Sequence, residues 1–399
     1  MMNWKVIEAK NGEPTLLLND ITIYSKYRPS DDAARWMHVE FDENATHYLL
    51  IGLGLGYHLR ALAERVGTKP ITVYYFDQAE YELFLHHNME WWKQNNINIV
   101  STLSNKINNN SLQILVPNVW SKAIGKNHPL YDILEIIRLK QVSYKEQKHD
   151  MESNILDNLL LNDPSIRMQE QTKFACIVSA GPSLNTTVKW LKEIQHKVDI
   201  YVVGSALKVL EAHDIIPKGV VHADPSDKTI IQFDNTNFNG ELYYLSTANK
   251  HVIASHKGPR YILMQQGFSL AEKYAAEKGM PILDTGGSVG TVAFSLIEQL
   301  GYSKVVLFGQ DLNLHAKTSH ASHSPANRNI SENVFTRQVV SNDGSVNATN
   351  TTLYAFWYWY NEKCQCTSMQ VFNTAEKGAK INNVPLINEQ QLYDLINQS

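Results

Sequence analysis

The sequence predicts an α/β protein built from two domains, each with a mostly parallel sheet, joined by a helical connector. Two observations carry this prediction. Short apolar runs rich in β-branched residues alternate with helical patterns, which is typical of parallel strands covered by helices. Two of these runs also end in glycine-containing turns that lead directly into a helix.

Composition narrows the class of protein. The 399 residues are 43% hydrophobic and 19% charged, as in an ordinary globular protein of more than one domain. A net charge of −4 gives no electrostatic reason to expect a nucleic acid partner. No apolar run is long enough to span a bilayer, so we expect no membrane insertion and a cytoplasmic location. The three cysteines lack companions at metal-site spacing.

The first domain is predicted to cover residues 1–119. Its segment 47–77 has the pattern of a strand, a glycine-rich turn, a helix and a second strand, which is the opening of a Rossmann-like unit. The turn contains Gly52, Gly54 and Gly56, and Asp77 ends the second strand, where a cofactor's ribose would lie. The spacing is GxGxG rather than GxGxxG. Two interpretations therefore stay open: a bound cofactor, or close packing of a helix on the sheet.

Residues 120–170 are predicted to connect the two domains. This stretch mixes charged and apolar residues at helical spacing and is nearly free of glycine. The alternating charges are typical of a solvated helix face.

The second domain, residues 171–399, contains six short apolar runs that predict strands: FACIVS, DIYVVGS, GVVHAD, ELYYLS, RYILMQ and KVVLFGQD. In a doubly wound sheet, ligands lie beyond the carboxyl ends of the strands. Polar residues are concentrated at these ends, namely Ser179–Ser183, Gly204–Ser205, His222–Asp227, Ser246–Thr247 and Gln310–Asp311. Any one of them could cap a helix. Five such ends at one edge of a sheet favour a ligand site.

Two turns in this domain are suited to anions. IVSAGPSLN, residues 177–185, passes from a strand through a small-residue turn into a helix. Gly286, Gly287 and Ser288 open a second helix. Backbone N–H groups without partners at such junctions, together with the helix dipole, suit a phosphate.

Residues 313–350 follow the last of the six runs, are polar, and are predicted to form a mobile loop at the ligand edge. The loop contains His315, His320 and His323, but no partner has convincing metal-ligand spacing, so we expect no metal there. A histidine acting as general acid or base is the better hypothesis. Arg328 and Arg337 are candidates to pair with a phosphate or a carboxylate.

Several segments resemble the domain shared by bacterial motility accessory factors and archaeal 6-hydroxymethylpterin pyrophosphokinases. They are GPSLN, GSALKVL, PKGVVHADPSD, TGGSVGTVAFSLIEQLGYSKVVLFGQDLNL, KTSHA and VFNTAEKGAKI. The likeness covers roughly residues 150–385. GLGLGYHL also resembles the domain that precedes this module in the motility accessory factors. That family is implicated in flagellin glycosylation, and its central domain resembles the bacterial sialyltransferases. The resemblance therefore implies a sialyltransferase-like fold for the second domain.

The resemblance implies a glycosyltransferase that moves a nonulosonic acid, of the pseudaminic or legionaminic type, from a CMP-activated donor to a Ser or Thr hydroxyl of flagellin. No further cofactor is expected. It implies His320 as the base and Asp311 as a second catalytic residue. The donor-binding residues would be Gly181, Pro182, Ser183, Ser205, Asp224, Gly287, Ser288 and Gln310.

Two alternatives remain open at this point. The first is pyrophosphoryl transfer from ATP to a pterin alcohol, which needs Mg²⁺ held by carboxylates such as Asp224, Asp227 and Asp311. The second is a non-catalytic motility accessory factor that binds a nucleotide sugar. In that case His320→Ala would leave glycosylation intact.

Overall fold

A computed structural model describes residues 2–88, 90–94, 96–102, 112–168, 171, 174–330 and 337–397. The chain divides into two compact units, Met1–Gln141 and Val142–Ser399. The division falls inside the stretch 120–170 that the sequence predicts as a helical connector. Two helices occupy most of that stretch. They are α4, Val119–Ile124, which begins one residue before it, and the 30-residue helix α5, Tyr131–Leu160.

The elements of the first unit, before α4, are β1 Trp4–Glu8, β2 Pro14–Leu18, β3 Ile21–Thr22, α1 Pro29–Glu40, β4 His47–Ile51, α2 Tyr57–Val66, β5 Ile71–Tyr74, α3 Gln78–His87, a 3-10 helix Glu90–Gln94, β6 Ile97–Val100 and β7 Leu112–Leu115. Four of the strands form a parallel sheet in the order β6-β5-β4-β7, as the Rossmann-like pattern predicts. A three-stranded antiparallel sheet, β1-β2-β3, precedes it and is not predicted by the sequence.

The second unit contains an eight-stranded sheet in which every pairing is parallel. All six predicted strands are present. The elements are β8 Ala175–Val178, α6 Leu184–Ile194, β9 Asp199–Val203, α7 Gly204–Glu211, β10 Gly219–His222, a 3-10 helix Asp227–Gln232, β11 Glu241–Leu245, α8 Lys250–Ser255, β12 Arg260–Gln265, α9 Ser269–Lys278, β13 Ile282–Leu283, α10 Val289–Gln299, β14 Lys304–Phe308, β15 Arg337–Val340, β16 Val346–Thr349, α11 Thr351–Cys366, β17 Gln370–Asn373 and α12 Glu389–Asn397.

The order of this large sheet is β13-β12-β11-β10-β9-β8-β14-β17. From β8 the chain adds five strands on one side, then crosses over and adds β14 and β17 on the other. The order therefore reverses between β8 and β14. In open parallel sheets, the crevice beyond the carboxyl ends of the strands at such a reversal is where ligands bind.

Burial explains why the apolar runs of the second unit predict strands. All four residues of β8 are buried, and in β9 and β14 only the first residue is partly exposed. Helix α10 is buried over most of its length, because it packs on the sheet beneath other elements. Strands covered on both faces are continuous apolar runs.

The expectation of one irregular loop over residues 313–350 is wrong in part. Residues 337–349 contain an antiparallel hairpin, β15 and β16, with the turn at Asp343 and Gly344. The irregular part that the structure describes is 313–330, and residues 331–336 of the expected loop lie outside the described residues.

Two asparagines one helical turn apart on α5 hold the loops that follow β10 and β11. Asn154 Nδ2 donates to the carbonyl oxygens of Pro225 and Thr247 at 3.0 and 3.3 Å. Asn158 Nδ2 donates to those of Ser246 and Ala248 at 2.9 and 2.8 Å. Both side chains are buried. Because these carbonyl groups bond to buried side chains rather than to water, each depends on the asparagine amide for its hydrogen bond.

Replacing Asn158 with alanine should destabilise the second unit. Two carbonyls lose their donor, at a cost of roughly 1–3 kcal/mol for each buried group left without a partner. The measurement is chemical denaturation of the whole chain. The control is Glu152→Ala on the same helix, where an exposed ion pair with Lys148 is lost and a change below about 1 kcal/mol is expected. Equal stability of the two variants would show that the asparagine bonds do not hold the loops.

Candidate functional site

The turn after β8 stays paired with the chain that leaves β14. Ser179 N donates to Phe308 O at 2.8 Å, and Gly181 N donates to Gly309 O at 2.9 Å. The approach is so close that a Cβ on Gly181 would lie 1.9 Å from Asp311 Oδ2. Glycine is therefore required at this point of the GPSL turn.

Ser183 and Asp311 bridge the two strand ends. Ser183 Oγ donates to Asp311 Oδ2 at 2.9 Å, and the Ser183 N–H lies 3.3 Å from both carboxylate oxygens. Ser183 stands at the N-cap position of α6 but makes no capping bond with its own side chain. The carboxylate of Asp311 thus takes the place at the helix N-terminus that the sequence offers to an anion.

Asp311 is 3% exposed and has a second partner on its far side, since His315 Nε2 lies 3.6 Å from Oδ1. Burial raises the pKa of Asp311, while His315 and the bonds from Ser183 lower it. His315 Nδ1 lies 2.8 Å from Asn313 Oδ1. The Asn313 amide is oriented by its Nδ2, which donates to Lys377 O at 2.7 Å and to Ser341 Oγ at 3.0 Å. Asn313 therefore accepts from His315 Nδ1–H, and Nε2 faces the carboxylate.

Gln310 belongs to a buried polar network behind this pair. Its Oε1 accepts from Ser179 Oγ at 2.8 Å and from Tyr360 Oη at 3.2 Å. A Cβ on Gly290, in the first turn of α10, would lie 2.7 Å from the same oxygen. The N-terminal turn of α10 therefore lies beside the ends of β8 and β14.

His320 lies on the segment that crosses these strand ends. The segment is attached by Ala321 N to Ala180 O at 2.8 Å and by Ser324 Oγ to Ser205 O at 2.7 Å. His320 Nδ1 lies 2.8 Å from Ser319 Oγ. Burial, followed by the positive charge of Arg328, lowers the pKa of His320 below its usual value. The imidazole is therefore neutral at neutral pH and able to accept a proton.

The other predicted donor-binding residues are less tightly grouped. Ser205 is joined to the His320 segment through its carbonyl, as described. Asp224 lies two strands from β8, where its Oδ1 accepts from Ser226 N at 2.8 Å in a local turn and burial raises its pKa. Within the described part of the chain, Asp224 makes no hydrogen bond to Ser183 or Asp311.

Gly287 and Ser288 form the start of α10. The Ser288 side chain accepts from Thr291 N at 3.2 Å, and Ser288 N donates to Thr291 Oγ1 at 3.1 Å, which is a capping box. Gly287 has a φ of +96° and is exposed, and no described residue accepts from its N–H. A free amide at a helix N-terminus is suited to an external anion.

The two candidate arginines have different surroundings. Arg328 is exposed and acts electrostatically on His320. Arg337 lies over the ring of Tyr354, with Cζ 4.4 Å from the ring centroid. Nowhere in the described ranges are three or more His, Cys, Asp or Glu side chains arranged to hold a metal ion. The helices that the structure describes include none with the length and hydrophobicity needed to cross a membrane.

A cavity of about 580 Å³ opens at the opposite, amino-terminal edge of the sheet, and its lining includes Tyr243, Tyr261 and Lys218. Lys218 in this lining is already paired with a residue outside it: its Nζ donates to Asp199 Oδ2 at 2.8 Å, and Tyr302 Oη donates to the same oxygen at 2.6 Å. We therefore place the candidate site at the carboxyl edge, where polar groups meet at the reversal in strand order.

Sequence reasoning missed three residues that shape this site. The sequence analysis names His315 only as one of three histidines in the loop, and it does not predict Asn313 or Tyr360 as site residues. The signal for His315 was its spacing of four residues from Asp311. For Tyr360 no signal in the sequence pointed to the site, because its partner Gln310 lies 50 residues away along the chain. Asn313 lies two residues from His315, but the contacts that orient its amide come from residues 28 and 64 positions away.

Comparison with known proteins gives three results. Residues 150–316 match the model of the family described as 6-hydroxymethylpterin diphosphokinase MptE-like. The solved structure of a MAf glycosyltransferase from Magnetospirillum magneticum AMB-1 is similar, with a TM-score of 0.54 and 15% identity over 97% of this chain and 70% of that one. No curated protein sequence matches. The resemblance predicted from the sequence is thereby confirmed: residues 150–316 are similar to the MptE-like family, and the chain has the fold of the MAf glycosyltransferase.

Proposed function

We propose that this protein is a glycosyltransferase that moves a nonulosonic acid from a CMP-activated donor to a Ser or Thr hydroxyl, with flagellin as the acceptor. The observation that carries the proposal is the likeness of nearly the whole chain to the fold of a glycosyltransferase. The polar groups at the reversal between β8 and β14 support it, because they suit a ligand with both hydroxyl and phosphate groups.

The position of Asp311 decides how the donor is oriented in this proposal. A phosphate placed on Ser183 N–H would meet the Asp311 carboxyl group, whose two oxygens already lie 3.3 Å from this nitrogen. A ribose or sugar hydroxyl, by contrast, donates readily to a carboxylate. We therefore assign the GPSL turn and Asp311 to hydroxyl groups of the donor, and the free Gly287 amide at the start of α10 to its phosphate.

The proposed reaction needs one base and one stabilised leaving group. The bond between the anomeric carbon and the phosphate oxygen breaks, and CMP leaves with the electron pair. The acceptor oxygen forms the new bond to the anomeric carbon while its proton passes to His320. The neutral form of His320, maintained by burial and Arg328, is the form that accepts this proton. Amides at the start of α10 stabilise the departing phosphate.

The pyrophosphokinase alternative has one observation in its favour, which is the name of the matching family. It requires carboxylates that converge on Mg²⁺. Asp311 is instead bound to Ser183 and His315, and Asp227 Oδ1 accepts from Asn249 Nδ2 at 2.7 Å. We therefore favour the transferase.

Calorimetry with nucleotides separates the two functions. We expect CMP to bind with micromolar affinity in the presence of a chelator, because none of its proposed contacts uses a metal. Gly181→Ala should weaken this binding at least tenfold, since the added methyl group displaces Asp311. Binding of ATP that requires Mg²⁺, without binding of CMP, would contradict the transferase proposal and support the kinase.

Substitution of His320 tests the catalytic role. His320→Asn should lower the rate of sugar transfer to a Ser- or Thr-containing flagellin peptide by about 10²–10⁴-fold, with CMP affinity unchanged. The matched control is His323→Asn in the same segment. His323 is exposed and has a φ of +67°, which asparagine tolerates. Full transfer activity in His320→Asn would favour the non-catalytic binding factor.

The pH profile of transfer should reflect the lowered pKa of His320. Activity requires the neutral imidazole, so it should persist as pH falls through 6.5, the usual histidine value, and decline only at more acidic pH. Removing the positive charge with Arg328→Gln should raise the pKa of His320 and move this decline to higher pH. Lys317→Gln, an exposed change of the same charge, is the control. An acidic limb that does not move in Arg328→Gln would assign the titration to another group.

A further inference from the structure

The glycine-rich turn of the first unit has the position of a nucleotide site. In the sheet order β6-β5-β4-β7, the strand order reverses between β4 and β7, and the turn at Gly52–Gly56 follows β4 directly. Gly52, Gly54 and Gly56 all have positive φ. This is the geometry in which a Rossmann-like unit presents backbone amides to a pyrophosphate.

In this protein the amides of the turn already have an acceptor. Glu80, on α3, is fully buried, and its Oε1 accepts from Gly54 N at 2.7 Å. Its Oε2 accepts from Phe76 N at 2.5 Å, at the end of the next strand. One carboxyl group thus joins the two segments between which a cofactor would bind.

The space over the turn is also filled. A Cβ on Gly52 would lie 2.1 Å from Cε2 of Trp120, and one on Gly54 would lie 2.3 Å from Oη of Tyr24. Both rings are buried, and Tyr24 Oη also accepts from Leu55 N at 3.1 Å. The glycines therefore make room for two aromatic side chains of the chain itself.

The acid that would meet the ribose has another partner as well. Asp77 accepts from Trp4 Nε1, which lies 2.9 and 3.0 Å from its two oxygens. It also accepts from Glu80 N at 3.0 Å as the N-cap of α3. Each of the three features that would bind a dinucleotide is thus satisfied from within the first unit.

We infer that the glycine-rich turn of the first unit is a carboxyl-binding site that the chain fills with its own Glu80, so that no nucleotide binds there. This inference concerns the first unit alone and does not depend on the proposed transferase activity. Burial raises the pKa of Glu80 to about 8, against the opposing effect of the backbone N–H groups of Gly54, Phe76 and Leu53. The titratable groups around it are Asp77, Tyr24 and Tyr74.

The test is to remove the side chain and restore the group from solution. Glu80→Ala leaves a carboxyl-sized space and two buried N–H groups without acceptors, so the melting temperature should fall by roughly 5–10 °C. Acetate, added at about pH 5.5 where both acetic acid and its anion are present, should restore the melting temperature, and this effect should saturate with acetate concentration. Glu82→Ala, an exposed change on the same helix, should show neither effect. Equal responses of the two variants to acetate would overturn the inference.

Glu80→Gln covers the case in which the alanine variant does not fold. In the wild type, the native state keeps a proton on Glu80 up to about pH 8, whereas the unfolded chain releases it near 4.5. Stability contributed by this proton is therefore lost as pH rises between those values. The glutamine variant lacks this loss, so its melting temperature should rise relative to wild type from pH 5 to pH 9. Parallel profiles would overturn the inference, as would stabilisation of the wild type by NAD that disappears in Asp77→Ala.

Discussion

The hydrogen bonds between Ser183 and Asp311 join the two strand ends at which the large sheet reverses its order. These bonds form because β14 lies beside β8, and because Gly181 has no side chain that would keep the segments following the two strands apart. The same carboxylate fixes the N-terminal turn of α6 and holds His315 on its other side. The segment that contains His320 is hydrogen-bonded to the turn after β8, through Ala321 N and Ala180 O. This junction therefore joins the start of α6, the end of β14 and His315 through one carboxyl group.

Six strands of the second unit could be predicted because most of their residues are buried. Such strands are uninterrupted apolar runs, and the runs from FACIVS to KVVLFGQD each correspond to one of them. Half-exposed strands carry a weaker pattern, which is why β1 to β3 and the hairpin β15–β16 were missed. For the hairpin a signal existed, since Asp343 and Gly344 form a pair typical of tight turns between antiparallel strands.

The candidate site was predictable as a location but not as a set of contacts. A parallel sheet places every carboxyl end at one edge, so polar strand ends such as Ser183 and Asp311 could be assigned to it from spacing alone. Their bond depends on strand order, which joins residues 128 positions apart and has no local signature. The same holds for Tyr360, which reaches Gln310 from α11. Partners of this kind follow from the packing of whole elements.

The two glycine-containing turns show how one backbone arrangement can have different uses. Both lie where strand order reverses, and in both a carboxyl group of the chain accepts from backbone N–H groups of the turn. Glu80 accepts with both oxygens from amides of separate segments, and Tyr24 and Trp120 fill the space at Gly54 and Gly52 of the turn. Asp311 binds Ser183 alone on that side, and Ser183 remains partly exposed. The first arrangement leaves no room for a ligand, whereas in the second a partly exposed hydroxyl lies beside a buried carboxyl group, and this hydroxyl is the part of the pair that the proposed donor would contact.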